Sequence, residues 1–323
     1  MLCCFVPMIR RNLGIVLCFV IGTLACDKAF GQGQPSQAVD RSQIFRSEPG
    51  ILPGEPISQS ASAFGYAAPS ANDADLGVQA ILKRQQEYLP FTFSASAPYY
   101  WTSNVALTPS GVVSDGVFAP NFVFAYQPRL VKTLYGEFIA SQELFYYNRL
   151  GEFNFTSFDA IAGVVYYIPK YHNLTLRLRY DYNRLTDDEW NQFFANHSIV
   201  ASADLPVPLG RAMQLYLGAL ANVSFAANPS APQRSDFELY AGYHAQLSRN
   251  FSVDAVGRLL VKPYYEGDRT DVSELIALSA DYRIRNWLTV SARTNFAWNQ
   301  SNHSAFEYSV ANLGGALVLT LKF

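Results

Sequence analysis

Cysteine is confined to the first 26 positions of this 323-residue chain, as Cys3, Cys4, Cys18 and Cys26. The rest of the sequence therefore has no disulfide framework and no thiol nucleophile. Without those cysteines, and with four isolated histidines, no zinc-ligand spacing remains, so no metal site is expected. After residue 30 no run approaches the roughly 18 apolar residues of a membrane-spanning helix. Charge is also sparse: 15% of residues are Asp, Glu, Lys or Arg, and the formal net charge is −2. That balance argues against a nucleic-acid partner. No glycine-rich phosphate loop leads from a strand into a helix, and no cofactor is implied.

What the chain does have is apolar character distributed at every second position. Hydrophobic residues make up 50% of the sequence and aromatics 15%, with 20 Tyr and 23 Phe. The end of the chain states the pattern most clearly. Leu313, Gly315, Leu317, Leu319, Leu321 and Phe323 share one face of an extended strand, and Asn312, Gly314, Ala316, Val318, Thr320 and Lys322 share the other. The same alternation recurs back to about residue 91. Tyr suits a membrane interface because its ring is apolar and its hydroxyl seeks water.

The beginning of the chain reads as a targeting segment. Arg10 and Arg11 supply positive charge, Leu13 to Ala25 is an apolar core, and Ala29-Phe30-Gly31 offers small residues at a cleavage site, so residues 1–31 are expected to be a signal peptide. Cys26 after Ala25 offers a lipidated N-terminus as the alternative, although Thr23-Leu24 matches a lipobox poorly. Residues 32–88 read as a flexible periplasmic linker: 32–74 are rich in Ser, Pro, Gln, Gly and Ala, and 75–88 form a short helix, lying at the barrel rim or plugging the lumen.

From residue 89 to 323 the chain divides into about twelve strands, near 91–104, 116–127, 133–147, 157–168, 174–185, 195–206, 211–225, 236–247, 251–264, 272–284, 287–299 and 309–323. Short turns follow the even-numbered strands, as at Ser248-Arg249-Asn250 and Arg285-Asn286, and longer polar loops follow the odd-numbered ones, as at Asn228–Ser235. The expected fold is an all-β, up-and-down antiparallel transmembrane barrel, with short turns in the periplasm beside both termini and longer loops outside. Aromatics near strand ends (Tyr126, Tyr146, Phe158, Tyr182, Phe225, Phe237, Trp298 and Phe323) fit the girdles of such a barrel.

A charge facing lipid at the bilayer centre costs roughly 2–4 kcal/mol, so the strand charges are expected to line the pore. The inward, pore-lining set is Glu137, Glu143, Asp159, Arg177, Arg179, Asp181, Asp204, Glu238, His244, Asp254, Arg258, Lys262, Asp281, Arg283 and Arg293, with Lys322 on the same face. Keeping Leu247 and Phe251 both outward requires an odd-numbered turn. Ser248-Arg249-Asn250 is then a three-residue turn with Asn250 left-handed, and His244 lies opposite Asp254.

The chain resembles the outer-membrane β-barrel proteins of Gram-negative bacteria. The resemblance rests on Leu319, Leu321 and Phe323, which look like the sorting signal read by the barrel-insertion machinery. It rests also on the recurring hairpins at His172-Asn173-Leu174, Arg249-Asn250-Phe251 and Arg285-Asn286-Trp287. It implies an outer-membrane location and contact with lipid and lipopolysaccharide. Mixed, balanced lumen charge suits a porin-like passive channel for small polar solutes; the alternative is a structural or anchoring barrel without flux. No enzyme is expected. Outer-membrane phospholipases pair a His with a Ser two residues on, whereas His197 and His303 have Ser immediately next and His172 and His244 have none two on. Omptin-type proteases use an Asp-x-His, which is absent. Asp187, Asp188 and Glu189 read as a solvated acidic loop, with calcium binding as the alternative.

Overall fold

Alternation at period two dictates strands with one oily and one polar face, and a sheet of such strands can hide its edges only by closing on itself. The computed structural model describes residues 35–45, 88–210 and 212–323. The segments read as signal peptide and as a helix over 75–88 lie outside the described residues, Tyr88 apart.

The strands run in chain order: β1 (Phe91–Thr102), β2 (Asp115–Phe118), β3 (Asn121–Tyr126), β4 (Leu134–Tyr147), β5 (Phe155–Ile168), β6 (Leu174–Thr186), β7 (Gln192–Pro208), β8 (Met213–Asn228), β9 (Asp236–Gln246), β10 (Phe251–Pro263), β11 (Thr270–Arg285), β12 (Leu288–Ser301) and β13 (Tyr308–Lys322). Both β2 and β3 pair with β1 on one side and β4 on the other, so they are two halves of one stave. The interruption falls at Ala119-Pro120, opposite Pro98 of β1, where prolines lack the N–H that a ladder needs. Register is unbroken across it: Tyr99 faces Phe118 and Ser96 faces Asn121. The result is a closed antiparallel barrel of 12 staves.

Closure occurs between the first and last strands. Phe91 N donates to Phe323 O at 3.0 Å, and Phe323 N to Phe91 O at 3.1 Å. An aromatic row crosses this seam: Phe323 stacks on Phe91 at 5.7 Å, Phe91 on Tyr126 at 4.6 Å and Tyr126 on Phe138 at 6.1 Å. The connections sort by end. The side carrying Phe91 and Phe323 has the shorter turns, down to Asn286-Trp287, with 127–133 as its one seven-residue connection, and the other side has the loops, the longest of which is 103–114.

The outer wall is apolar and uncovered: Leu239 is 61% and Leu313 62% exposed, and Leu178, Leu317, Phe225 and Phe237 lie among the same belt. A protein in water does not leave so continuous an apolar surface bare. The inner face holds the buried polar groups, Glu137, Asp159, Glu238, Lys262 and Asp271 among them.

At the Ser248-Arg249-Asn250 turn, Leu247 N and Ser248 N donate to Phe251 O at 3.0 and 3.1 Å, and His244 faces Asp254. Asn250 is not left-handed, contrary to the sequence expectation. A side chain reinforces the backbone closure: Gln246 Nε2 donates to Ser248 O at 2.7 Å and Phe251 O at 3.2 Å. Positive φ falls at His172 and Asn173, in the turn between β5 and β6.

One segment departs from the sequence reading. Within the stretch read as a flexible linker, Pro35–Phe45 forms an α-helix, α1, inside the barrel. Pro35 suits a first helical position, where its missing N–H is no loss. At 11 residues α1 is about 16 Å long. Asp40, Arg41 and Ser42 are buried beside Ala38 and Ile44. The lumen supplies partners for its polar residues and apolar contacts for Ala38, Ile44 and Phe45.

Candidate functional site

The site is the lumen with α1 in it. The helix descends from the loop side toward mid-barrel. Its middle meets residues at the loop ends of strands: Asp40 Oδ1 lies 3.0 Å from Lys262 Nζ and 2.9 Å from Arg234 Nη1. The Tyr308 hydroxyl bonds to the same carboxylate. Arg41 Nη1 donates to Val105 O at 3.2 Å, and its guanidinium lies over Phe153 and Phe155 at 5.2 and 5.3 Å. The last turn meets mid-wall groups: Asn295 Nδ2 donates to Ile44 O at 3.1 Å and Arg258 Nη1 approaches Gln43 O at 3.5 Å. A helix C-terminus has unsatisfied carbonyls, and cationic or amide donors are what it needs. Phe45 packs on Tyr100 and Phe145 at 5.1 and 5.7 Å.

Arg234 ties the loop between β8 and β9 to the plug. It donates to Asp236 at 2.9 Å, to the Tyr264 hydroxyl at 2.6 Å and to Gln43 Oε1 at 3.0 Å, while Gln43 Nε2 donates to Asp236 at 2.9 Å. Burial alone would raise the Asp40 pKa, but Arg234 and Lys262 outweigh it and hold the carboxyl at about 2. Burial alone would lower Arg234, but Asp236 and Asp40 raise it well above its ordinary value.

The charged residues expected inside are placed on the inner face, and most meet a partner there. Arg177 pairs with Asp204, and Arg179 with Glu137, which also accepts from Gln127 at 3.0 Å. Arg258 grips Glu238 with two bonds, at 2.7 and 2.9 Å. His244 Nδ1 lies 2.7 Å from Asp254 Oδ1. Asp159 accepts from Asn183 at 2.8 Å, and Asp281 from Ser291. Glu143 is buried; Asp181 and Arg293 each line a small cavity beside α1, of about 60 and 30 Å³. Cavities of this size are of the order of one or two water molecules. Arg283 is exposed at the turn-side mouth.

Sequence reasoning missed α1 with its Asp40, Arg41 and Gln43, and also Arg234, Arg269 and Asp271. Arg269 pairs with Asp271 and lies over the Tyr264 and Phe306 rings at 4.1 and 3.5 Å. Arg234 and Arg269 sit in loops, where strand alternation says nothing of direction. Asp187 caps its own turn, accepting from the N–H groups of Glu189 and Asn191 at 3.0 and 2.8 Å. His197 lies against Tyr182 and bonds to the Tyr180 hydroxyl at 2.7 Å. Among the described residues, no three His, Cys, Asp or Glu converge on a metal-sized site.

No protein-family model matches the chain, and no curated protein matches it. The fold is similar to that of an outer-membrane channel from Pseudomonas putida F1, with a TM-score of 0.53 and 9% identity over 73% of this chain and 97% of that one. Weaker likenesses include the translocator domain of the autotransporter NalP from Neisseria meningitidis (TM-score 0.40, 12% identity, 74% and 90% covered) and the KdgM porin (TM-score 0.39, 8% identity, 69% and 97% covered). The chain thus has the fold of the Gram-negative outer-membrane β-barrels.

Proposed function

We propose that the protein is an outer-membrane channel for small polar solutes whose lumen is closed by its own N-terminal helix. The observation that carries this reading is the polar character of the contact between α1 and the wall. A barrel built only as an anchor can fill its interior with its own strand side chains. Here the filling is a separate segment, held through Asp40, Arg41, Gln43 and two main-chain carbonyls. These polar contacts can be exchanged for those of a polar solute, although Ala38, Ile44 and Phe45 also pack on apolar wall residues.

In this reading the chain is exported by its signal peptide, is sorted by Leu319, Leu321 and Phe323, and sits with its exposed apolar belt in lipid and lipopolysaccharide. Both chain ends of the barrel then face the periplasm.

The wall charges pair chiefly with one another, and the cavities are small, which favours permanent closure as the second reading. Liposome swelling separates the two. Vesicles carrying the chain without Pro35–Phe45 should admit arabinose several-fold faster than vesicles carrying the full chain. Folded barrels of both kinds that admit no sugar would leave the anchoring reading.

A further inference from the structure

Lys262 differs from the other cations of the wall. Arg177, Arg179, Arg258 and Arg269 each pair with a carboxylate of the barrel itself: Asp204, Glu137, Glu238 and Asp271. Lys262 has a side chain only 2% exposed, and its ion pair is with Asp40 of the plug, at 3.0 Å. Arg234 reaches the same carboxylate oxygen at 2.9 Å while also holding Asp236 of the wall. When α1 leaves, Lys262 loses the carboxylate it pairs with and opens to lumen water, and among the charges of this mouth Lys262, Arg234 and Arg269 outnumber Asp236 and Asp271 by one. An open state of this mouth therefore attracts an anion to the place the Asp40 carboxylate held. Water alone solvates such a recessed cation less well than a carboxylate that also takes the Arg234 and Tyr308 donors.

We propose that Lys262, Arg234 and the Tyr308 hydroxyl form a carboxylate-binding site at the loop-side mouth. Asp40 fills it in the closed state, and the solute is a small organic acid anion that takes its place. The plug is then a tethered competitor of the solute. The chemistry is complementary: Lys262 offers a point charge, Arg234 a planar fork, and Tyr308 a neutral donor. The ring of Tyr264, which lies beneath both Arg234 (5.4 Å) and Arg269 (4.1 Å), gives the site an apolar side for the body of the acid. The transport half of this inference rests on the channel reading; the binding half stands apart from it.

The test is chemical rescue in the full chain. Asp40→Ala removes the carboxylate and leaves room for formate. In the refolded variant at neutral pH, formate should raise the midpoint of heat modification, and formamide at the same concentration and ionic strength should not. Adding Lys262→Met should weaken the formate response about tenfold, the loss expected for one charge-assisted hydrogen bond. Asp40→Asn, which keeps the volume filled, should respond to neither. If Asp40→Ala folds poorly, its refolding yield in formate against formamide reads the same site. Equal effects of formate and formamide, no effect of either, or an unchanged response in the Lys262→Met background would overturn the site. In planar bilayers succinate, and not succinamide, should lengthen the openings of the parent chain. Formate rescue without any such opening would leave the site standing and sink the channel reading.

Discussion

The ring of Tyr216 lies flat over Gly242, its directly opposed neighbour in the β8–β9 ladder. Tyr240 covers Gly218 in the reciprocal way, so two inward rings each fill the space left by a missing side chain across the strand. A Cβ on Gly242 would meet Tyr216 Cζ at 2.0 Å. Gly242→Ala should therefore destabilise the barrel by about 1–3 kcal/mol, the usual cost of overpacking. Adding Tyr216→Ala should recover part of that loss, and a double-mutant cycle in urea checks it. Strictly additive effects would contradict the packing.

The seam offers a second test. Phe323 contributes two backbone bonds to Phe91 and a ring stacked on it. Deleting Phe323 should cost roughly 2–4 kcal/mol of closure and lower the amount of heat-modifiable barrel in outer-membrane fractions. Levels equal to the parent would show that the last residue neither closes nor sorts the barrel.

Register can be checked covalently. His244 and Asp254 are directly opposed and touch at 2.7 Å, so cysteines at 244 and 254 should cross-link on oxidation. Cysteine at 244 paired with 253 or 255 should not, because those positions face the other side of the sheet.

The hold on α1 should depend on acid in one direction. Asp40 has a folded pKa of about 2, below the usual carboxylate value. Its contribution to plug retention is complete above the unfolded value near ~4 and is lost as pH falls toward 2. Channel openings of the parent should therefore be steady from pH 7 to about 5 and grow more frequent below ~4, whereas Asp40→Asn should lack that dependence. A parent whose openings do not change across this range would remove the ion pair from the closing mechanism.

Most of the barrel was legible because lipid imposes a strict rule on each strand. Leu239 had to face out and Glu238 in, and the structure places them so at 61% and 5% exposure. The β9–β10 register followed from the same rule, since one residue of slip would have turned Phe251 inward. Alternation also placed Lys262 in the lumen, but it could not name Asp40, its partner 222 residues earlier in the chain. Helix α1 was illegible for a physical reason. An amphipathic stripe appears when a helix packs on an apolar core, whereas α1 buries Asp40, Arg41 and Ser42 as well as Ala38, Ile44 and Phe45, so its polar and apolar residues are both turned to the wall. Its Ser, Gln, Asp and Arg composition is that of a solvated linker until the lumen that receives it is known. Pro120 splits one stave without shifting its pairing, which composition alone cannot distinguish from a turn.

Single-channel recording in planar bilayers, on the full chain and on the chain lacking Pro35–Phe45, bears most directly on whether α1 closes a conducting lumen. The account predicts long closures and rare openings in the full chain and a steady conductance without the helix. The same conductance in both chains, or none in either when both are folded, would contradict it.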